Sequence, residues 1–262
     1  TIAYSVQLET MERAAAAGTY IFKIKIGQPG TQEEMLRKDS ERMSAIHEAL
    51  EEFETPYTES GRIQYYIDAN GRYEEKETLQ RFIDHLREIG AFERTLVIEE
   101  PFPEEKPIEV GDLGVNIAAD ESAHTDEDVR ERIEMGYGSI ALKPIAKTMS
   151  MTLKMAELAY EEDMPCFCAD LTVNPILVDW NKNFAARLAP FPGLDTGMME
   201  TNGHQNYANW DRMRSYLPDP DAPWTRTENG VFPLGDRFYD ESGGIFTVSD
   251  HYRQMFERPE TG

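Results

Sequence analysis

The feature that most constrains this chain is a regular alternation: short segments rich in β-branched and aromatic residues, each followed by a polar stretch whose apolar residues recur at helical spacing. Strands separated by helices pair in parallel, with the helices packed across the sheet. The pattern predicts strands at Ile2–Val6, Tyr20–Ile26, Gln64–Asp68, Thr95–Glu99, Val115–Ala119, Ser139–Lys143, Pro165–Ala169 and Thr196–Glu200. Helices are expected at Leu8–Ala17, Gln32–Phe53, Glu74–Ile89, Asp126–Met135, Ser150–Glu162 and Pro175–Leu188, with a loop or one short turn from Pro101 to Gly114. Seven to eight such βα units predict an α/β fold of the closed (β/α) TIM-barrel type in modified form, over residues 1–216. The proline-bearing run Leu217–Pro223 and the tail after it predict an irregular C-terminal segment, 217–262, wrapping the barrel.

Charge narrows the partners. With 26 Lys plus Arg against 49 Asp plus Glu, the net charge is −23. Nucleic acid and anionic membranes need a basic face, so neither is expected. No apolar run approaches the roughly 20 residues that span a bilayer, and Thr1–Glu9 lacks the basic and apolar regions of a signal peptide. A cytoplasmic enzyme acting on a small molecule is the expectation, as a homo-oligomer. Cys166 and Cys168 are too close to staple the fold, which suits a reducing compartment. They share a strand face, where small buried thiols are a simpler reading than a clasp for a soft metal. Acidic runs such as Glu51-Glu-Phe-Glu54 read as solvated surface, with a saline habitat as the other reading.

Strand parity then identifies candidate chemistry, because alternate side chains of a barrel strand point inward. In Tyr20–Ile26, Phe22, Ile24 and Ile26 suit the helix side, which turns Lys23 and Lys25 inward. The same test sends Asp68 and Asn70 inward, and places Leu96, Ile98 and Glu100 toward the helices with Val97 and Glu99 inside. Asp120 and Lys143 follow on the next two strands. Five consecutive strands therefore end in inward Lys, Asp, Glu, Asp and Lys, at the barrel end where enzymes of this fold place their chemistry. Three carboxylates on neighbouring strands are hard oxygen donors suited to Mg²⁺.

Lys23-Ile-Lys25, Asp68-Ala-Asn70, Glu99-Glu-Pro101, Asp120-Glu-Ser122 and Lys143, in this order, resemble the enolase superfamily and its muconate-lactonizing-enzyme-like subgroup, the mandelate racemase/muconate lactonizing enzyme family. Spacings of 43, 31, 21 and 23 residues from Lys25 onward each fit one βα unit. The resemblance covers Thr1 to Asn206. It implies that Asp68, Glu99 and Asp120 ligate Mg²⁺ and that Lys25 and Lys143 are acid/base groups on opposite faces of a substrate carbon. Lys23 would support the substrate carboxylate. The implied reaction is removal of a proton alpha to a carboxylate, giving an enediolate, and a lysine near metal and another cation is expected to have a lowered pKa. Racemisation or epimerisation leads; syn-elimination by a dehydratase, cycloisomerisation, or a non-catalytic binding barrel are the alternatives.

Two departures accompany the resemblance. The family's N-terminal capping domain is absent from this sequence, which begins at the expected first strand. The Asp-x-Asp that dipeptide epimerases carry near the eighth strand is not evident either; Cys168-Ala-Asp170 and Met199-Glu-Thr-Asn-Gly-His204 stand there instead. Asn70, Asp170 and His204 are candidate substrate contacts. For Asp170 the plain alternative is the start of a turn, and for His204 and His124 a loop histidine without a task.

Overall fold

The computed structural model describes residues 2–169 and 171–257. Six parallel strands, β1 (Ile21–Lys25), β2 (Gln64–Asp68), β3 (Thr95–Glu99), β4 (Ile117–Ala119), β5 (Ser139–Leu142) and β6 (Cys166–Cys168), pair in chain order into one curled sheet. Helices α1 (Ile2–Ala16), α2 (Gln32–Leu50), α3 (Lys76–Glu88), α4 (Asp126–Glu134), α5 (Met149–Glu161) and α6 (Pro175–Ala185) alternate with them. Helix starts are written in the sequence. Thr31 with Glu34 and Thr125 with Asp128 form capping boxes, and Asn174 caps α6 ahead of Pro175. Such a cap contributes about 1 kcal/mol and sets where each βα loop ends.

Two apolar layers follow from strand parity. Phe22, Ile24, Tyr65, Ile67, Ile98, Ile117, Ile140 and Cys168 pack under the helices. Tyr66, Val97, Ala118, Ala141 and Phe167 fill the concave side with Phe191 and Met198. Phe167 is fully buried there, its ring edge-on to Tyr66 at 5.2 Å and to Phe191 at 5.7 Å. Phe167→Ala is therefore expected to cost about 3–5 kcal/mol, measured as a shift of the urea unfolding midpoint; a change under about 1 kcal/mol would mean this layer is loosely packed.

Four expectations need correction. Ile2–Val6 is not a strand but the first turns of α1, because no Gly or Pro separates it from the Ala-rich stretch behind and the helix runs through to Ala16. Thr196–Glu200 is reduced to a single parallel bridge, Cys168 to Met199, held by Cys168 N–H to Met198 O (3.1 Å) and Glu200 N–H to Cys168 O (2.8 Å). The strand expected beyond it is helical, so among the described residues no strand pairs with the segment on that side. Among the described residues, six strands thus form where eight were expected. Leu96 does not face the helices: the β2–β3 register slips between Tyr65 and Tyr66, and Leu96 joins the concave layer beside Val97. The tail is also less irregular than expected. After α7 (Gly203–Asn206) and α8 (Trp210–Arg214), it forms α9 (Asp236–Glu241) and α10 (Asp250–Glu257). Lys182 and Asn183 of α6 donate to Trp224 O and Ser242 O, tying the tail to that helix.

Among the described residues, no helix is long and apolar enough to cross a membrane. Both thiols sit on the helix side, and burial pushes the Cys166 thiol up to about 12 and that of Cys168 up as well, as inert small side chains require.

Candidate active site

The inward charges meet at the C-terminal ends of the strands. Lys23 on β1 lies 2.9 Å from Asp68 Oδ2, 2.8 Å from Glu99 Oε2 and 2.9 Å from Glu200 Oε2, and donates to the Tyr66 hydroxyl at 2.9 Å. Lys25 pairs with Asp68 and donates to Asn70 Oδ1 at 2.9 Å. Asn70 in turn donates to Glu121 Oε1 at 3.2 Å. At the other end of the arc, Lys143 pairs with Asp120, and Lys147 donates to the backbone oxygens of Asp120 (2.8 Å) and Ala123 (2.5 Å). Lys25 is 52% exposed at its side chain while Lys23 and Lys143 are 15% and 12% exposed, so Lys25 is the lysine that most readily meets a solute.

Backbone devices hold these groups in place. Gly27 and Gln28, just past Lys25, donate to the buried Asp39 carboxylate of α2 at 2.8 and 3.2 Å, which fixes the exit of β1. Glu100 turns away from the cluster, with a φ of 39°. Its Oε2 accepts from Asp120 N–H (2.7 Å), Ser122 N–H (3.2 Å) and the Ser122 hydroxyl (3.0 Å), so it locks the loop that presents Asp120. Of the Glu99–Glu100 pair, parity selected the one that faces the cluster.

Burial and charge oppose each other here. Burial alone raises Asp68, yet the bond to Glu99 and the ammoniums of Lys23 and Lys25 hold its carboxyl well below the usual range. Burial lifts Glu99 far above its ordinary value, with Lys23 opposing and the Asp68 charge adding. Lys23 is raised because Glu99, Asp68 and Glu200 outweigh its desolvation. Lys143 is raised too, since Asp120 and Glu99 outweigh the burial that would lower it. With no cation between them, the carboxylates facing Lys143 favour its ammonium. Lys147, more deeply buried than Lys143, is lowered by desolvation, against Asp120 and with help from the neighbouring Lys143 charge.

The donor set suits a hard dication. Glu99 Oε1 and Asp120 Oδ1 are buried and receive no hydrogen bond, and three carboxylates on consecutive strands supply oxygen ligands of the type Mg²⁺ takes. Among the described residues no three His, Cys, Asp or Glu side chains converge as a ready cage; the lysines neutralise the carboxylates instead.

Three residues of the cluster escaped the sequence. Tyr66 and Glu200 both bond Lys23, and Lys147 supports the Asp120 loop. Parity would have turned Tyr66 inward with Asp68, whereas Glu200 and Lys147 are recognisable only by their partners. His204 lies elsewhere, on the wall of a cavity against α6 and α8, with its ring edge-on to Trp210 at 6.3 Å. His124 is 3.7 Å from Glu104 at the surface. Asp170 lies outside the described residues.

Solved structures share this fold. A mandelate racemase/muconate lactonizing protein from Herpetosiphon aurantiacus matches with a TM-score of 0.66 at 20% identity, over 88% of this chain and 58% of its own. An N-succinyl Arg/Lys racemase from Bacillus cereus matches at 0.61 and 14% identity, over 77% and 50%. A dipeptide epimerase from Cytophaga hutchinsonii, complexed with Mg and the dipeptide D-Ala-L-Val, matches at 0.55 and 22% identity, over 74% and 49%. The chain spans between about half and three fifths of the length of these structures. No curated protein matches it. The family model that matches residues 7–209 is described as enolase C-terminal domain-like, and with most of its length inside that match the chain belongs to this family.

Proposed function

We propose that this chain carries the site for Mg²⁺-dependent removal of a proton alpha to a carboxylate, with racemisation or epimerisation of a carboxylic acid as the outcome. One observation carries the reading: Lys25 and Lys143 stand at opposite ends of an arc of three acidic side chains, Asp68, Glu99 and Asp120. A magnesium-bound dipeptide epimerase among the similar structures supports it.

Asp68, Glu99 and Asp120 would hold the ion. When bound, Mg²⁺ supplies positive charge that stabilises the enediolate form of a substrate carboxylate. Lys23, between Asp68, Glu99 and Glu200, stays an ammonium and offers its charge to the substrate carboxylate. Lys25 and Lys143 exchange the α-proton, one removing it as the neutral amine and the other returning a proton from the opposite side as the ammonium. Neutralising the charge on Asp120 and Glu99 removes what raises Lys143, which makes its neutral form accessible. The concave apolar layer below, with Tyr66 and Phe167, closes the floor of the site against water.

The test is α-deuterium incorporation from D₂O into a library of enantiopure carboxylic acids, with Mg²⁺ and with a chelator. Exchange that needs Mg²⁺ is expected for at least one acid. Saturable binding of an acid without exchange in either condition would favour the non-catalytic binding barrel instead.

A further inference from the structure

A second polar site lies away from the carboxylate arc. α6, α8 and the segment just after Trp224 border a half-open cavity of about 250 Å³, and none of Lys23, Lys25, Asp68, Glu99, Asp120 or Lys143 lines it. Water occupies about 30 Å³ per molecule in the liquid, so the space admits a small organic ligand.

Two unmet groups belong to its wall. Asp179 of α6 is 2% exposed, and its Oδ1 is bound by Lys182 at 2.5 Å while its Oδ2 has no hydrogen-bond partner. Lys182 cannot turn to serve it. Its ammonium is committed to Asp179 Oδ1, to Trp224 O at 2.6 Å and to the face of Phe232, 3.9 Å from the ring centroid. A buried carboxylate oxygen left without a donor is costly and points to something that supplies one. Arg226, on the same wall, is exposed and its guanidinium makes no hydrogen bond or ion pair with any described residue. Arg214 adds a second guanidinium, held by Asp211 at 3.2 Å and Pro220 O at 3.0 Å.

The demands of the two groups differ. Lys182 already neutralises Asp179, so a second ammonium beside it would be repelled and a neutral hydroxyl is the donor that suits Oδ2. A free guanidinium calls for a carboxylate. We infer that this cavity is a second binding site, taking a small hydroxycarboxylate whose hydroxyl donates to Asp179 Oδ2 and whose carboxylate pairs with Arg226. The inference does not depend on the function proposed for the carboxylate arc.

Calorimetric titration of the whole chain, with a chelator present, compares glycerate with propionate, which lacks the hydroxyls, and glycerol, which lacks the carboxylate. Glycerate is expected to bind at least about tenfold more tightly than either, the value of one hydrogen bond to a charged group. Arg226→Gln, at an exposed position with no side-chain hydrogen bond or ion pair to a described residue to lose, should weaken glycerate about tenfold and leave the fold unaltered. Asp179→Asn combined with Lys182→Met, which leaves no buried cation unpaired, should bring glycerate down to the level of propionate. Equal binding of glycerate and propionate, no effect of Arg226→Gln, or a glycerate-soaked crystal with water alone on Asp179 Oδ2 would each overturn the assignment.

Discussion

Lys25→Ala and Lys143→Ala are each expected to abolish racemisation while leaving Mg²⁺ binding nearly intact. Loss of a positioned acid/base group typically costs on the order of 10² to 10⁴ in rate. Metal binding should survive, because each lysine pairs with a carboxylate of the arc, Lys25 with Asp68 and Lys143 with Asp120, and its removal frees that carboxylate for a cation. Proton exchange should survive in half. The remaining lysine still reaches the proton on its own side, so the two variants should wash deuterium into opposite enantiomers. The pH profile gives a second readout. Asp120 and Glu99 overcome the burial of Lys143 and raise it, so its neutral form grows only at high pH, and neutralising those charges moves the basic limb of exchange to lower pH. Exchange on the Lys143 side is therefore expected to shift toward lower pH as Mg²⁺ is raised. Unchanged exchange in both variants would remove the two-lysine mechanism.

Glu99→Gln and Glu100→Ala should separate two adjacent, equally buried glutamates into different roles. Glu99→Gln is expected to weaken Mg²⁺ by about 10²-fold or more, since even partners one shell behind a ligand cost 10- to 100-fold. It should leave stability largely unchanged, as an amide relieves a buried carboxyl that burial already pushes toward protonation. Glu100→Ala strips acceptors from Asp120 N–H, Ser122 N–H and the Ser122 hydroxyl, for a loss of roughly 3 kcal/mol. Mg²⁺ titration and urea unfolding of both proteins check the contrast. A Glu100 variant that loses the metal while Glu99→Gln retains it would show that the inward face of β3 had been misassigned.

That assignment was readable because it is local. The two-residue repeat of a strand sorts Lys23 and Lys25 from Phe22 and Ile24, and Glu99 from Ile98, without knowledge of any neighbour. Capping residues such as Thr31, Thr125 and Asn174 are equally local, and helix starts at Gln32, Asp126 and Pro175 follow from them. Leu96 failed the same test because its side was decided by pairing: the register of β3 slips against Tyr65 and Tyr66, and nothing within β3 records that slip.

Order along the chain, strand parity, helix starts and the succession Lys, Asp, Glu, Asp, Lys were determined by the sequence itself, since each rests on residues within one element. Only the tertiary structure decided that Ile2–Val6 runs into α1 and that Thr196–Glu200 holds the sheet by one bridge, because a strand exists only where a partner meets it. It also decided that Glu200 reaches Lys23 across 177 positions, and that Lys147 rather than another lysine braces Asp120. Charges buried this deeply are set by whichever opposite charges the fold brings within a few ångströms, and that distance is a property of packing, not of spacing along the chain.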